Sequence, residues 1–337
     1  MMYRNLGRTG LKVSELCLGT FNFGNQVNES DAIGIIDAAL DAGINFLDTS
    51  DGYVKGISEQ IVGKALKSKR QRVVLATKVA FVTGTGPNDR GLSRAHIMQA
   101  VENSLSRLQT HYIDVYYAHI PDYHTPIAET LRAFDDLIHQ GKVRYIACSN
   151  FFAWQLCKAL WVSDTGNLAR FECVEPPYNL LYRDIEDELL PLCASEKIGV
   201  CVYNPLAAGL LTGKYDPDKP LPPGTRFTQT SLMSNNRPKG EVYKERYWTA
   251  ENFAAIASLK AVAEAHGRSL TQFALAWILN NPLISSVIFG VSTLDHLAKN
   301  LEATGITLTS EELSVCDDVW RRLRPRNFTY GRRATGF

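Results

Sequence analysis

The stretch from Ile44 to Tyr53, which reads INFLDTSDGY, contains the most informative pattern for the fold. Its apolar half is typical of a short buried strand, and Gly43 just before it marks the end of a helix-like segment. The strand stops at Asp48, turn-forming residues follow, and Tyr53 comes directly after the turn. Parallel barrels place their catalytic groups at such carboxyl ends of strands. The alternative is a plain strand followed by a capped helix, and the other strand ends decide between the two.

The composition is that of a folded globular protein. The chain has 337 residues, of which 45% are hydrophobic and 21% are charged, so one large α/β barrel or two domains can be formed. There are 36 basic and 35 acidic residues, the net charge is +1, and no run of five basic residues occurs. Neither nucleic acid nor an anionic membrane surface is therefore expected as a partner.

The absence of long apolar segments and the spacing of the cysteines bear on the cellular location and on metal binding. The amino-terminal residues lack the apolar segment of a signal peptide, and no stretch reaches the roughly 18 apolar residues of a membrane span. Seven scattered cysteines without a C-x-x-C pair argue against a disulfide framework and against a zinc site. We expect a cytoplasmic protein that has no metal and does not enter the membrane.

Strand-like and helix-like segments alternate along the chain. The strand candidates are Leu16–Gly19, Asn45–Asp48, Val73–Lys78, Ile113–His119, Val143–Ser149, Phe171–Val174, Val200–Tyr203 and Ser286–Phe289. The helix candidates are Ala32–Ala42, Ser58–Leu66, Arg94–Leu108, Pro126–Gln140, Trp154–Leu160, Ile185–Glu196, Glu251–His266, Leu270–Asn280, Asp295–Ala303 and Glu311–Leu323. Apolar strands separated by helices predict a parallel sheet covered on both faces. Eight of them favour an α/β fold of the (β/α)₈ TIM-barrel type.

Three further features complete the predicted architecture. Residues Tyr3 to Val13 predict a small amino-terminal β-hairpin, which would plug one end of the barrel. The segment from Lys214 to about Trp248, after the seventh strand, is polar, contains several prolines and has no regular period. Loops of that length usually serve as lids or binding segments. No linker divides the chain, so residues 1–337 are expected to form a single barrel domain.

Polar side chains recur where the predicted strands end. In chain order they are Asp48 with Tyr53 behind it, Lys78, His119, Ser149-Asn150, Glu175 and Tyr203. Each has an ordinary explanation when taken alone, since a lysine at a strand end usually reaches solvent and a lone histidine is usually a satisfied core group. Together they gather at the end of a barrel where catalysis takes place, which chance explains poorly.

These residue types are suited to proton transfer. A tyrosine has an ordinary pKa of about 10, and a nearby lysine held charged by a buried aspartate would stabilise its phenolate. A downward shift of about 3 pKa units requires roughly 4 kcal/mol of differential interaction. A neutral histidine opposite could donate a hydrogen bond to a carbonyl oxygen. Because none of these groups is an attractive nucleophile, we expect the attacking species to be a hydride from a cofactor.

The chain resembles the aldo-keto reductases, in particular the branch that contains potassium-channel β-subunits, from the hairpin to about residue 320. The motifs that carry the resemblance are Leu18-Gly19-Thr20, Asp48 to Tyr53, Ser58-Glu59, Lys78, His119 with Pro121-Asp122, Gly141-Lys142, Ser149-Asn150, Pro205-Leu206, Gly209 to Lys214, and Gly290 with Asn300-Leu301. By this resemblance Tyr53 would be the general acid, Lys78 and Asp48 would tune it, and His119 would orient the carbonyl group.

The resemblance also implies an NADP(H) site, with NAD(H) less favoured. Its residues would be Gly19, Thr20, Phe21, Asp48, Ser149, Asn150, Glu175, Tyr203, Asn204, Pro205, Leu206, Gly209, Leu211, Lys214, Arg226, Gly290, Ser292, His296 and Asn300. Ser149, Asn150 and Glu175 would hold the nicotinamide amide, and Tyr203 would stack on its ring. Arg226 and Lys299 are suited on charge grounds to a 2′-phosphate.

The chain departs from the family pattern at three positions. Glu175 stands where glutamine is usual, and Asn204 where serine is common. Ser292 stands where many relatives have arginine or lysine, which weakens the preference for NADPH without reversing it. A buried carboxylate at position 175 is costly unless it is paired.

Three functions compete at this stage. The first is reduction of an aldehyde or ketone, with a sugar-like carbonyl among the candidates, in a pocket lined by Phe21, Tyr53, His119 and Tyr123. Tyr243–Trp248 and the tail beyond Pro325 would complete that pocket. The second is a nucleotide-binding regulatory subunit on the same barrel. The third is a Schiff-base lyase built on Lys78, which requires that lysine to be unpaired and partly neutral. The physiological substrate and the oligomeric state stay open.

Overall fold

Eight parallel strands close into a barrel in the computed structural model, which describes residues 1–230 and 237–324. The strands in these described residues are β1 (Tyr3–Asn5), β2 (Lys12–Ser14), β3 (Leu16–Gly19), β4 (Phe46–Asp48), β5 (Val74–Val79), β6 (Ile113–Ala118), β7 (Val143–Ser149), β8 (Phe171–Glu175), β9 (Gly199–Tyr203) and β10 (Ser286–Gly290). Strands β3 to β10 follow one another around the barrel, and β10 closes it beside β3. The predicted (β/α)₈ barrel is confirmed.

Helices cover the outside of the barrel. They are α1 (Glu29–Asp41), α2 (Ile57–Leu66), α3 (Arg94–Leu108), α4 (Ile127–His139), α5 (Ala153–Gly166), α6 (Leu189–Glu196), α7 (Lys239–Tyr247), α8 (Ala250–Ala265), α9 (Leu270–Leu279), α10 (Leu294–Leu301) and α11 (Ser310–Leu323). In the part of the chain that the structure describes, none of them is long and apolar enough to cross a membrane.

Several helices differ from the sequence-based prediction. Helix α1 begins at Glu29, three residues before the predicted start, and α6 begins at Leu189, four residues after its predicted start, because a separate 3₁₀ turn, Asp184–Glu186, precedes it. Helix α5 continues to Gly166, well past the predicted end at Leu160, because its next buried position is Ser163, which carries no apolar signal. The segment between Lys214 and Trp248 is not irregular throughout, because it contains α7. That helix buries Val242 together with two tyrosines, and its low apolar content concealed the periodicity.

The hairpin of β1 and β2 closes the amino-terminal end of the barrel. The inward-facing side chains at that end form a cluster that we call the amino-terminal core, which comprises Leu6, Val13, Cys17, Phe46, Val74, Ala76, Val115, Tyr117, Ala147, Cys173, Cys201 and Ile288. Leu6 and Val13 come from the hairpin, and both are fully buried. The predicted plug is therefore present.

Gly7 fixes how closely the hairpin approaches the barrel. Its φ of +58° is in the left-handed region, and a Cβ atom there would lie 2.4 Å from the backbone nitrogen of Gly199 and 2.7 Å from the carbonyl oxygen of Lys197. Both neighbours are backbone atoms that cannot move aside. Only glycine satisfies this position, and the plug therefore lies directly against the start of β9.

Candidate active site

Because side chains alternate along each strand, the polar side chains at the strand ends point into the mouth of the barrel. Asp48, Lys78, His119 and Glu175 each lie two positions after a residue of the amino-terminal core. Successive side chains of a strand point to opposite faces, so a residue two positions further on points inward again, one layer higher. We call these four residues and Tyr53 the mouth cluster. Their convergence follows from the parallel arrangement of β4, β5, β6 and β8.

Lys78 lies at the centre of the mouth cluster. Its fully buried ammonium group donates hydrogen bonds to both carboxylate oxygens of Asp48 and, at 3.0 Å, to the carbonyl oxygen of Thr49. Glu175 Oε2 lies 3.4 Å from the same nitrogen. Burial alone would lower the pKa of Lys78, but the two carboxyl groups raise it well above its ordinary value. The lysine therefore stays charged.

Tyr53 reaches the mouth cluster from the turn that follows β4. Lys78 Nζ lies 5.3 Å from the centre of its ring, and the rings of Phe21 and His119 contact it edge-on at 5.1 and 5.8 Å. Burial raises the pKa of Tyr53 above its ordinary value, and Lys78 opposes that shift without cancelling it. The sequence predicts a net downward shift, so the direction in this structure is the opposite. The reason is that burial and two carboxyl groups, instead of one, oppose the lysine.

His119 lies just beyond β6, and contacts hold both its imidazole ring and its backbone carbonyl group. Its Nδ1 atom lies 3.0 Å from Ser50 Oγ, and its carbonyl oxygen accepts a hydrogen bond from Asn150 Nδ2 at 2.9 Å. The Gly52 backbone N–H donates to Ser50 Oγ at 3.1 Å, and the serine hydroxyl hydrogen has two acceptors, of which His119 Nδ1 at 3.0 Å is closer than Asp51 Oδ1 at 3.3 Å. Burial, and then the charge of Lys78, lower the pKa of His119 well below its ordinary value. We therefore assign a neutral imidazole that carries its hydrogen on Nε2.

Sequence reasoning missed two residues of this site. Ser50 lies inside the decisive stretch, but it was interpreted only as a turn residue. Phe81, whose ring centre is 4.4 Å from that of His119, follows β5 in a loop and has no distinguishing pattern. For Ser50 the only available signal in the sequence was its position two residues after Asp48 at a strand end, and for Phe81 there was none.

A second group of polar side chains occupies the neighbouring strand ends. Ser149 and Glu175 are paired in register on β7 and β8, and Ser149 Oγ donates to the Glu175 carbonyl oxygen at 2.9 Å. Asn150 Nδ2 donates to Ser149 Oγ at 3.0 Å, and the Tyr203 hydroxyl donates to Asn150 Oδ1 at 2.8 Å. The structure thus joins four residues of the expected cofactor site in one network beside the mouth cluster.

The loop after β9 carries several further residues of that expected site. Asn204 accepts a hydrogen bond from the backbone N–H of Ala208 at 2.7 Å and donates to the Tyr247 hydroxyl at 2.7 Å, so it ties the loop to α7. A short 3₁₀ helix, Ala207–Thr212, follows, and it includes Gly209 and Leu211. Pro205 and Leu206 lie between Asn204 and this helix.

Arg226 approaches the site from the long segment before α7. It donates to the Tyr243 hydroxyl at 3.1 Å and to Asn22 Oδ1 at 3.5 Å, and its guanidinium carbon lies 4.9 Å from the ring centre of Phe21. A Cβ atom on Gly290 would lie 3.7 Å from Arg226 Nη2, so this side chain lies beside the end of β10. Within residues 1–230 and 237–324 no carboxylate pairs with it.

The remaining predicted cofactor residues lie at the edges of the site. Thr20, which follows Gly19, donates from its hydroxyl to the Asp48 carbonyl oxygen at 3.0 Å and so joins the ends of β3 and β4. Ser292 Oγ lies 3.0 Å from His296 Nδ1 in an exposed pair. The other three are Lys214, which is exposed, Asn300, which is buried, and Lys299, whose ammonium group is 2.6 Å from Asp295. That ion pair makes Lys299 less available to a phosphate than its charge suggests.

Tyr123 does not join the mouth cluster. It is 73% exposed, and its hydroxyl accepts a hydrogen bond from Gln155 Nε2 at 3.1 Å. Of the expected pocket residues in α7 and after it, Tyr243 contacts Arg226, while the ring of Trp248 packs 5.1 Å from that of Phe227. The tail beyond Pro325 lies outside the described residues. Of the predicted pocket residues, Phe21 and His119 contact the Tyr53 ring, and the substrate pocket itself stays a prediction.

The closed parallel barrel holds a buried lysine, carboxylate and imidazole beside a half-buried phenol at its carboxyl mouth. These features define a (β/α)₈ protein with groups suited to proton transfer. The model of the aldo/keto reductase family matches residues 15–321, and the chain belongs to that family. Family membership supports a general NAD(P)H-dependent carbonyl reduction and a nicotinamide cofactor. The family resemblance inferred from the motifs is thereby confirmed.

Curated relatives carry two kinds of name. A protein from Oryza sativa subsp. japonica named "Probable voltage-gated potassium channel subunit beta" is 37% identical over 98% of this chain and 100% of its own length. A protein of the same name from Arabidopsis thaliana is 37% identical over 91% of this chain and 92% of its own length. "Uncharacterized oxidoreductase YrpG" from Bacillus subtilis (strain 168) is also 37% identical, over 95% of this chain and 96% of its own length.

Proposed function

We propose that this protein is an NADP(H)-dependent reductase that converts an aldehyde or ketone into its alcohol, with Tyr53 as the general acid. The observation that carries the proposal is the position of one buried ammonium group, Lys78, against both the Asp48 carboxylate and the Tyr53 ring. A phenol beside a permanently charged lysine can release a proton and be stabilised as the phenolate. The same contacts oppose the lyase alternative, since Lys78 is neither unpaired nor neutral.

The chain's residues fit a nicotinamide dinucleotide. Glu175 Oε2 is buried without a hydrogen-bond partner beside the polar network of Ser149 and Asn150, so this end of the site offers groups for a carboxamide. Tyr203, at the end of β9, brings an aromatic side chain to the same network, since its hydroxyl donates to Asn150 Oδ1 at 2.8 Å. The half-buried Arg226 has only neutral hydrogen-bond partners in the described structure, which supports a phosphate as its ligand and NADP(H) over NAD(H).

When bound, the reduced nicotinamide supplies a hydride. The chain's own residues must position the carbonyl oxygen and protonate it. His119, with its hydrogen on Nε2, donates a hydrogen bond that orients the oxygen. The Tyr53 hydroxyl transfers its proton to that oxygen, and Lys78 stabilises the phenolate that forms. Asp48 keeps Lys78 charged and fixed in place.

The alternative is a nucleotide-binding subunit whose main role is to serve a partner protein. The names of the two plant relatives favour it. Such a subunit would bind NADPH but would not oxidise it with any carbonyl compound. A screen of NADPH oxidation over sugars, ketosteroids and simple aldehydes therefore separates the two functions.

Tyr53→Phe tests the proposed acid. It should lower turnover by a factor of roughly 10² or more, because the proton donor is lost, and leave NADPH affinity nearly unchanged. Tyr116→Phe is the matched control, since the Tyr116 hydroxyl is buried in the wall of the barrel without a partner among the described residues. Its loss should leave turnover unaltered. If Tyr53→Phe weakened turnover and NADPH binding equally, Tyr53 would not be the acid.

A further inference from the structure

The mouth cluster contains one carboxyl group more than its ammonium group can neutralise. Asp48 and Glu175 both contact Lys78, and the three side chains are 1%, 3% and 0% exposed for Asp48, Glu175 and Lys78. If both carboxyl groups were ionised, the cluster would hold a net negative charge in a place almost closed to water. Two carboxyl groups that share such a site do not both ionise readily, because each disfavours the charge of the other.

The two carboxyl groups are not equivalent partners of Lys78. Both oxygens of Asp48 accept hydrogen bonds from the ammonium group. Glu175 approaches with one oxygen, Oε2, which lies 3.4 Å from the ammonium nitrogen and forms no well-aligned hydrogen bond in the described parts of the chain. The charged form of a carboxyl group is stabilised by hydrogen bonds, so the proton that the cluster needs belongs on Glu175.

The other groups around Glu175 add no charge at neutral pH. Apart from Asp48 and Lys78, the titratable groups that act on it from the surrounding strands and turns are Tyr53, Tyr117, Tyr203, Cys17, Cys148, Cys173 and Cys201. Phenols and thiols have ordinary pKa values of about 10 and about 8.5, so they are neutral at pH 7. Asp48 and Lys78 are therefore the charged groups that act on Glu175 at neutral pH, in addition to its burial.

We propose that Glu175 is a neutral carboxylic acid in the resting protein, and that its ionisation disables the cofactor site. The first half, the protonation of Glu175, concerns the free protein. The second half, the effect of its ionisation on the cofactor site, rests on the proposed function. A neutral Glu175 leaves the charge of Lys78 balanced by Asp48 alone. It also offers an O–H donor at the position expected to meet the nicotinamide carboxamide. An ionised Glu175 would place a second negative charge beside Tyr53 and take that donor away.

The acid–base properties of the site agree with this assignment. Burial and then the charge of Asp48 raise the pKa of Glu175 well above its ordinary value, and Lys78 opposes them. Because the folded pKa exceeds the unfolded one, the folded state holds this proton after the unfolded state has lost it. Stability should therefore fall as pH rises from the unfolded pKa, about 4.3, towards the folded pKa.

Infrared spectroscopy of the cofactor-free protein tests the first half directly. At pH 7 the wild type should show the C=O stretch of a protonated carboxyl group that is missing in Glu175→Gln and that fades as pH is raised. Asp51 is the matched control, because it is a second buried carboxyl group whose pKa is raised by burial to about 8. Asp51→Asn should keep the Glu175 band. The proposal is overturned if Glu175→Gln removes no protonated-carboxyl band at pH 7.

The pH dependence of NADPH binding tests the second half. If only the neutral form of Glu175 permits binding, the wild-type Kd should rise about tenfold per pH unit above the pKa of Glu175. Glu175→Gln cannot ionise, so its Kd should not follow this rise. Parallel profiles for the two proteins would refute the switch. If neither protein bound NADPH or NADH at any pH while the infrared band was present, the protonated Glu175 would stand and the proposed reductase function would fall.

Discussion

The two ends of the barrel interior are built by the same strands and differ in almost every property. At the amino-terminal end Phe46 and Ala76 pack in an apolar core that the hairpin closes with Leu6. Two residues further along the same strands, Asp48 and Lys78 form a buried ion pair at the mouth. A shift of two residues therefore separates the part of the interior that stabilises the barrel from the part suited to chemistry.

The apolar end of the barrel interior must stabilise the fold enough to offset the cost of the buried charges at the other end. Burying a leucine side chain contributes about 2 kcal/mol or more, whereas removing the charges of an ion pair from water costs several kcal/mol per ion before their attraction is counted. The mouth cluster holds one ammonium and two carboxyl groups in that unfavourable environment. The apolar end of the barrel and the helices around it must supply the stability that keeps these groups in place.

The largest effect that separates the two ends is expected for Leu6→Ala. Removing this plug residue should lower the free energy of unfolding by about 2–5 kcal/mol, since the side chain is fully buried and the strands around it cannot collapse into the space. The folded fraction should keep its turnover, because no residue of the mouth cluster is altered. Denaturant unfolding and steady-state kinetics measure the two quantities.

Leu313→Ala on α11 is the matched control, since this leucine is 39% exposed and its loss should change stability by less than about 0.5 kcal/mol. If Leu6→Ala reduced the turnover of correctly folded protein as strongly as its stability, the two ends of the interior would not be separable.

A smaller effect is expected at the mouth for Ser50→Ala. The loss of its hydroxyl removes the partner that fixes the hydrogen of His119 on Nε2, and one such hydrogen bond is worth about 1 kcal/mol. Turnover should fall by roughly tenfold with little change in NADPH affinity, and stability should fall by about 1–2 kcal/mol because the buried hydroxyl also accepts from the Gly52 backbone N–H. Steady-state kinetics with a carbonyl substrate, together with a cofactor titration, provide the measurement.

Ser258→Ala, which removes an exposed hydroxyl on α8, should leave all three quantities unchanged. An unaltered turnover in Ser50→Ala would mean that the serine does not control the imidazole.

Much of the fold could be predicted because its signals are local. Strand β7 was predicted with its observed bounds, Val143–Ser149, and α3 with its bounds, Arg94–Leu108. Both are periodic segments with clear ends. Helix α7 was missed because its buried face depends on Tyr243 and Tyr247, which do not give an apolar pattern.

The site was predictable only in part. Parallel strands end on one face of a barrel, so the meeting of Asp48, Lys78 and His119 follows from their positions at strand ends. The contact between Glu175 and Lys78 does not follow from such positions, because it depends on the conformations of two side chains. The upward shift in the pKa of Tyr53 was equally out of reach, since it results from a balance of burial and charges that requires distances.

In the proposed mechanism the phenol of Tyr53 and the ammonium group of Lys78 act as one proton-donating unit. A double-mutant cycle of Tyr53→Phe and Lys78→Met, measured as turnover at saturating NADPH, shows whether they do. Groups that act as a unit are not additive, so the double variant should lose about as much turnover as the worse single variant. If the two losses multiply, the groups act independently and the account of the mouth cluster is wrong.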